Sequence, residues 1–147
     1  MKWRVIAVGR PALAFARAGV EEYASRLRPY GDTEMVWVKE GANPAETARR
    51  VLGHAKDARP VLLDERGRLH TTRRLLAEVE GWEAAGVKRV AVIVGGADGH
   101  PAELRQAVAD AWALGRLTLQ HELALLVWLE QLYRLHTLRA GSSYHRD

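Results

Sequence analysis

Short apolar runs along this chain alternate with longer stretches whose apolar positions recur every three or four residues, a pattern that predicts alternating strands and helices. Residues 5–8 form the first apolar run, and residues 11–28 carry the period of an amphipathic helix closed by Pro29 and Gly31. Residues 33–39 are rich in β-branched and aromatic side chains and predict a second strand. Asn43, Pro44 and Glu46 then supply an N-cap, a proline for the first helical position and a capping-box glutamate, so a second helix starts there.

Residues 60–64 predict a buried third strand that closes in a turn at Glu65-Arg66-Gly67. Thr71 or Thr72 caps a third helix reaching Gly86. Residues 89–94, continuously apolar after Arg89, predict a fourth strand and run into Gly95-Gly96-Ala97-Asp98-Gly99. His100-Pro101-Ala102-Glu103 repeats the cap, proline and glutamate order for a fourth helix. A short fifth strand is expected at 117–119 and a last helix from about 121 to 138. Late strands without polar alternation belong to a mostly parallel sheet covered on both faces, so the expected class is one α/β domain spanning residues 1–147. Residues 123–129 of the last helix are apolar on every side, and Leu132, Tyr133 and Leu135 extend that surface. Such a helix needs cover all round, and a second subunit is the expected source of part of it.

With 48% apolar and 27% charged residues the chain has the composition of a globular domain. Its longest apolar run, residues 123–129, is too short to cross a bilayer. No secretory h-region follows the N-terminus, so a cytoplasmic protein without membrane partners is expected. The absence of cysteine excludes disulfides, thiolate metal sites and cysteine nucleophiles. A net charge of +4 favours polyanionic partners, RNA first.

Candidate chemistry lies in three places. The glycine segment 95–99 follows a buried strand, where open α/β sheets place ligands. It has neither the G-x-G-x-x-G spacing nor the Gly-Lys-Ser/Thr ending, so a phosphate cradle is disfavoured. Asp64 and Glu65 are neighbours in a strand and would point to opposite faces, which reads as a solvated turn. The six histidines show no metal-ligand spacing, and no metal is expected. The tail is the third place: Gly141-Ser142-Ser143 breaks the last helix before Tyr144-His145-Arg146-Asp147. Tyrosine can stack on a base, histidine titrates near neutrality and arginine grips phosphate. The alternative is a frayed terminus.

Taken in order, Leu62-Leu63-Asp64-Glu65-Arg66-Gly67, Val92–Gly99, Leu117-Thr118-Leu119-Gln120-His121, Leu129–Arg134 and the terminal Tyr144-His145-Arg146 resemble the ribosomal RNA large subunit methyltransferase H family. These are the smallest SPOUT-type methyltransferases, and the resemblance spans the chain. It implies a SPOUT α/β fold with a C-terminal trefoil knot, a homodimer, and methyl transfer from S-adenosylmethionine to N3 of a pseudouridine in large-subunit (23S) rRNA on the assembled ribosome. The implied donor positions are Leu63, Gly95 and the loop Leu114-Gly115-Arg116-Leu117-Thr118-Leu119. The tail of one subunit is expected to fold over the donor site of the other, with His145 as base, Arg146 as anchor for phosphate or imidate, and Tyr144 as stacking platform; His121 is the reserve base. The sequence departs from the family pattern at Gln120, where proline usually precedes the histidine. Alternative readings are a SPOUT tRNA methyltransferase, a non-catalytic ribosome-binding or assembly factor, and a flavodoxin-like nucleotide binder.

Overall fold

The structure, a computed structural model, describes residues 1–146, so Asp147 lies outside the described residues. The elements follow in the order β1 (Lys2–Val8), α1 (Ala14–Leu27), a 3-10 turn (Arg28–Tyr30), β2 (Thr33–Val38), α2 (Pro44–Ala55), β3 (Arg59–Leu69), α3 (Thr72–Ala84), β4 (Arg89–Val94), α4 (Ala102–Ala107), β5 (Asp110–Ala113) and α5 (His121–Arg139). The strands make one wholly parallel sheet in the order β2-β1-β4-β3-β5.

The period of two along a strand sorts side chains onto the two faces of this sheet. Trp3, Val5, Ala7, Val61, Leu63, Val90, Val92 and Val94 pack beneath α1, α3 and α5. Ile6, Val8, Leu62, Ala91 and Ile93 pack beneath α2 and α4. Every residue of β4 from Val90 to Val94 is therefore buried, as a central parallel strand requires. The capping box at α2 forms as expected: Asn43 Oδ1 accepts from the Glu46 amide at 2.9 Å, and Glu46 Oε2 accepts from the Ala42 amide at 2.6 Å. Thr71, the first of the two candidate threonines, caps α3 through the Arg74 amide.

Two expectations are corrected. Glu65-Arg66-Gly67 is no turn, because β3 continues through it to Leu69 with a shifted register against β5 between Leu63 and Arg68. The extra residues are absorbed as a bulge, and Gly67 makes it possible: a Cβ there would stand 2.6 Å from the Ala111 carbonyl carbon. The fifth strand is Asp110–Ala113 and not 117–119, which lies in a loop where Leu117 is 80% exposed. One aromatic side chain marks the true strand. Trp112 is buried, stacked on Trp82 of α3 at 5.4 Å and tilted against Trp128 of α5 at 5.7 Å.

Helix α5 lays Leu125, Trp128, Leu129, Leu132 and Leu135 on the sheet. Its Leu126 fits against α1 at Gly19, where a Cβ would meet the Leu126 methyl carbons at 2.6 and 2.7 Å. Leu123, Leu126 and Val127 stay only half-buried, so the apolar surface is not fully covered by this chain.

Gly67→Ala is expected to lower stability by roughly 1–3 kcal/mol, since the methyl group meets backbone and not a movable side chain. A denaturant midpoint unchanged from wild type would mean that residues 65–67 form an open turn after all.

Candidate functional site

The bulged stretch of β3 at Leu63–Arg66 and the loops leaving the carboxyl ends of β4 and β5 meet the first turn of α5 around a cavity of about 670 Å³. This is the end at which parallel sheets hold ligands, and the volume falls in the range of small-molecule sites. Of the expected donor positions, Leu63, Gly95, Leu114, Gly115, Leu117, Thr118 and Leu119 line it. Arg116 does not, and is exposed.

The glycine loop shapes one wall. Gly99 adopts φ +75° and donates its amide to the Gly96 carbonyl at 3.0 Å. A Cβ on Gly95 would stand 3.1 Å from the Gly99 carbonyl carbon, so this wall stays as bare backbone facing the cavity.

Asp64, Arg105 and His100 brace the adjoining wall through contacts that residue pattern did not predict. Asp64 is ion-paired to Arg105 of α4, and its side chain is only 7% exposed. Its Oδ1 also accepts from the Arg66 amide at 3.0 Å. The bulge in β3 turns this carboxylate inward, so it is no solvated turn residue. His100 does not cap α4, whose N-cap is Pro101 without a side-chain bond. It turns inward instead, with Nε2 2.7 Å from the Leu63 carbonyl oxygen. A carbonyl only accepts, so the ring proton sits on Nε2 and the Nδ1 lone pair faces inward without a partner. Burial pushes the His100 pKa down and keeps the ring neutral. No spacing in the sequence announces these contacts; the strand-end position of Asp64 was the one available signal.

The far wall is the start of α5, where His121 and Ala124 face the cavity. Gln120 has taken over the job of capping: its side-chain oxygen accepts from the amides of Glu122 at 2.9 Å and Leu123 at 3.0 Å. Glu122, 8% exposed, accepts from the amides of Ala12 at 2.6 Å and Leu13 at 2.9 Å and so ties the entry of α1 to the cavity rim.

The tail lies elsewhere. The Tyr144 hydroxyl donates to Glu130 at 3.1 Å and meets the Tyr23 hydroxyl at 3.2 Å, while its ring sits edge-on to Tyr133 at 4.8 Å. Arg134 lies over the Tyr144 ring and donates to His145 Nδ1 at 3.3 Å. Burial and these partners raise the Tyr144 pKa, which keeps the phenol neutral. Arg134 is thirteen residues past His121 on α5, about 20 Å along the axis. The structure thus brings all of the expected donor positions but Arg116 to one cavity and leaves Tyr144, His145 and Arg146 outside the cavity of their own chain. Among the described residues no cluster of three His, Asp or Glu could hold a metal ion.

A parallel sheet with its cavity walled by the bulge of β3 and the loops after β4 and β5 places the chain among methyltransferases of the SPOUT type. A family model described as predicted SPOUT methyltransferase matches residues 1–145. The ribosomal RNA large subunit methyltransferase H of Thermus thermophilus is 52% identical over 146 residues, covering 99% of both chains. The protein of that name from Deinococcus deserti is 43% identical over 148 residues, covering 99% of this chain and all of its own. Among solved structures, a probable methylase family protein from Haemophilus influenzae Rd KW20 superposes with a TM-score of 0.59 at 13% identity, over 99% of this chain and 70% of that one, a likeness of fold alone. The chain belongs to the ribosomal RNA large subunit methyltransferase H family.

Glu122 generates a prediction here. Hydrogen bonds from the Leu13 and Ala12 amides hold its carboxyl below the ordinary range when folded, so its contribution is present at neutral pH and lost as pH falls through the folded value. Glu122→Gln should therefore narrow the fall in Tm between neutral pH and pH ~4; an unchanged difference would show that this link carries no pH-dependent stability.

Proposed function

We propose that this chain, in the cytoplasm, methylates N3 of a pseudouridine in large-subunit (23S) rRNA on the assembled ribosome, with S-adenosylmethionine as donor. In this reading it works as a homodimer whose C-terminal third is threaded as a trefoil knot. The observation that carries the proposal is the convergence of Leu63, Gly95 and most of the 114–119 loop on one cavity in a member of this family.

The residues present fit the donor. The cavity is large enough, and the bare backbone at Gly95 admits close approach. Leu63, Leu117 and Leu119 offer apolar surface to the faces of an adenine, and the peptide groups of the loops offer hydrogen bonds to its edge. The donor supplies an already activated sulfonium methyl group. What remains for the protein is alignment and the removal of a proton from the acceptor imide.

That proton is held well above neutral pH, so a base and a neighbouring cation are needed. His145 takes the proton, Arg146 steadies the developing imidate or an adjacent phosphate, and the neutral ring of Tyr144 stacks on a base. In this reading these three come from the partner subunit, because within one chain the tail docks about 20 Å from the cavity rim. The half-buried Leu123, Leu126 and Val127 on α5 supply apolar surface for such a partner. His121, at the cavity mouth, is the reserve base.

Calorimetry should detect S-adenosylmethionine binding, weakened about tenfold, or 1.4 kcal/mol, in Gly95→Ala. Absence of binding by the wild type at millimolar donor would turn the reading to a non-catalytic ribosome-binding factor. Truncation after Ser143, or His145→Ala with Arg146→Ala, should keep most donor affinity and abolish turnover on ribosomes lacking the mark. Mass spectrometry of rRNA nucleosides reads the product as one methylated pseudouridine. Undiminished turnover in both variants would remove the tail from the chemistry.

A further inference from the structure

The carboxyl edge formed by β1 and β2 holds a group of side chains that the donor cavity does not use. Val8 pairs with Val38, and the Gly9 amide donates to the Val38 carbonyl at 2.8 Å, so Gly9-Arg10 and Lys39-Glu40 leave the sheet side by side. The Arg10 guanidinium lies over the half-buried Trp37 ring at 5.2 Å. Arg10 and Lys39 are both exposed, and neither has a carboxylate within ion-pair distance among the described residues.

The contrast with the other end of the sheet is physical. Arg4 is paired with Glu34 and Asp57, Arg89 with Asp57, Arg59 with Asp110, and Arg139 with Glu80 and Glu83. Those guanidinium groups are neutralised within the fold, while the exposed Lys2 and Lys88 at that end have no aromatic ring to hold them among the described residues. At the carboxyl edge Arg10 is held by an indole, which orients the guanidinium without cancelling its charge. A cation held over a ring and left unneutralised can take a phosphate, and the Arg–Trp pair can support a stacked base.

This edge adjoins the donor cavity from two directions. Gly96 in the cavity wall lies beside it: a Cβ there would be 3.4 Å from Val8 Cγ1 and 3.6 Å from Glu40 Oε1. Two residues past Arg10, the Ala12 and Leu13 amides are bound by Glu122, next to the cavity residue His121.

We infer that Arg10, Trp37 and Lys39 form the surface that seats the RNA strand beside the donor cavity, Arg10 and Lys39 contacting phosphates and the Arg10–Trp37 pair supporting a base. The inference rests on the rRNA reading and adds to it the route by which the strand reaches the cavity.

The test uses the full chain and purified ribosomes that lack the methyl mark, with affinity measured from low to physiological salt. Each lost phosphate contact flattens the dependence of log affinity on log salt by about 0.7–0.9, so Arg10→Gln with Lys39→Gln should flatten it by about 1.4–1.8. Over a fourfold rise in salt the double variant then loses about eightfold less affinity than the wild type does. Lys39→Gln alone should show half the change in slope, and donor affinity by calorimetry should stay at the wild-type value in both. Lys2→Gln with Lys88→Gln removes the same charge from the opposite end of the sheet and should leave the slope near that of the wild type. A double variant with the wild-type slope, or a control pair that flattens it equally, overturns the surface while leaving the rRNA reading intact. A wild-type protein with no salt-dependent affinity for ribosomes overturns both.

Discussion

Burial of a parallel sheet on both faces is the constraint from which the remainder of this structure follows. β4 stands at its centre with Val90 to Val94 all removed from water, and β1 and β3 flank it. A strand so placed can tolerate no polar side chain on either face, and helices must cover both. The two clusters sort by residue parity, α1, α3 and α5 on one side and α2 and α4 on the other. Because every strand points the same way, all their carboxyl ends open on one edge. The bulge of β3 and the loops that follow β4 and β5 are brought together there as a consequence of packing, and the cavity is where they meet.

Cross-ties then hold those loops in place. His100 binds the Leu63 carbonyl and so joins the exit of β4 to the exit of β3. Arg105 on α4 holds Asp64 from the same direction. Glu122 and Gln120 fix the first turn of α5 and connect it to the entry of α1. Several of the polar groups that shape the site are thus engaged in structure, while Glu65, Asp98, Thr118 and His121 line the cavity beside apolar side chains and bare backbone.

Much of this was legible from residue pattern. The continuous run 89–94, the capping box at Asn43 and Glu46, and the glycines after β4 each carry a local physical signal that does not depend on distant partners. The two misread elements lacked one. Asp110–Ala113 contains a single large apolar residue, and its strand character comes from pairing with β3 and from Trp82 and Trp128 around Trp112. Glu65-Arg66-Gly67 has the composition of a turn, and only the close passage of Ala111 makes it part of a bulged strand. Asp64 and His100, read from sequence as a solvated turn residue and a helix cap, were misassigned for the same reason: their partners, Arg105 and the Leu63 carbonyl, are respectively 41 and 37 residues away.

By itself the sequence determined the class of fold, the position of most helices and strands, the family, and most of the residues that line the cavity. These depend on hydrophobic period, capping chemistry and motif order, all of them local along the chain. Tertiary structure decided the register of β3 against β5, the inward turn of Asp64 and His100, and the docking of the tail on α5 away from its own cavity. Each of these is set by contacts between residues distant in sequence, whose energies exist only once the sheet has brought them within reach.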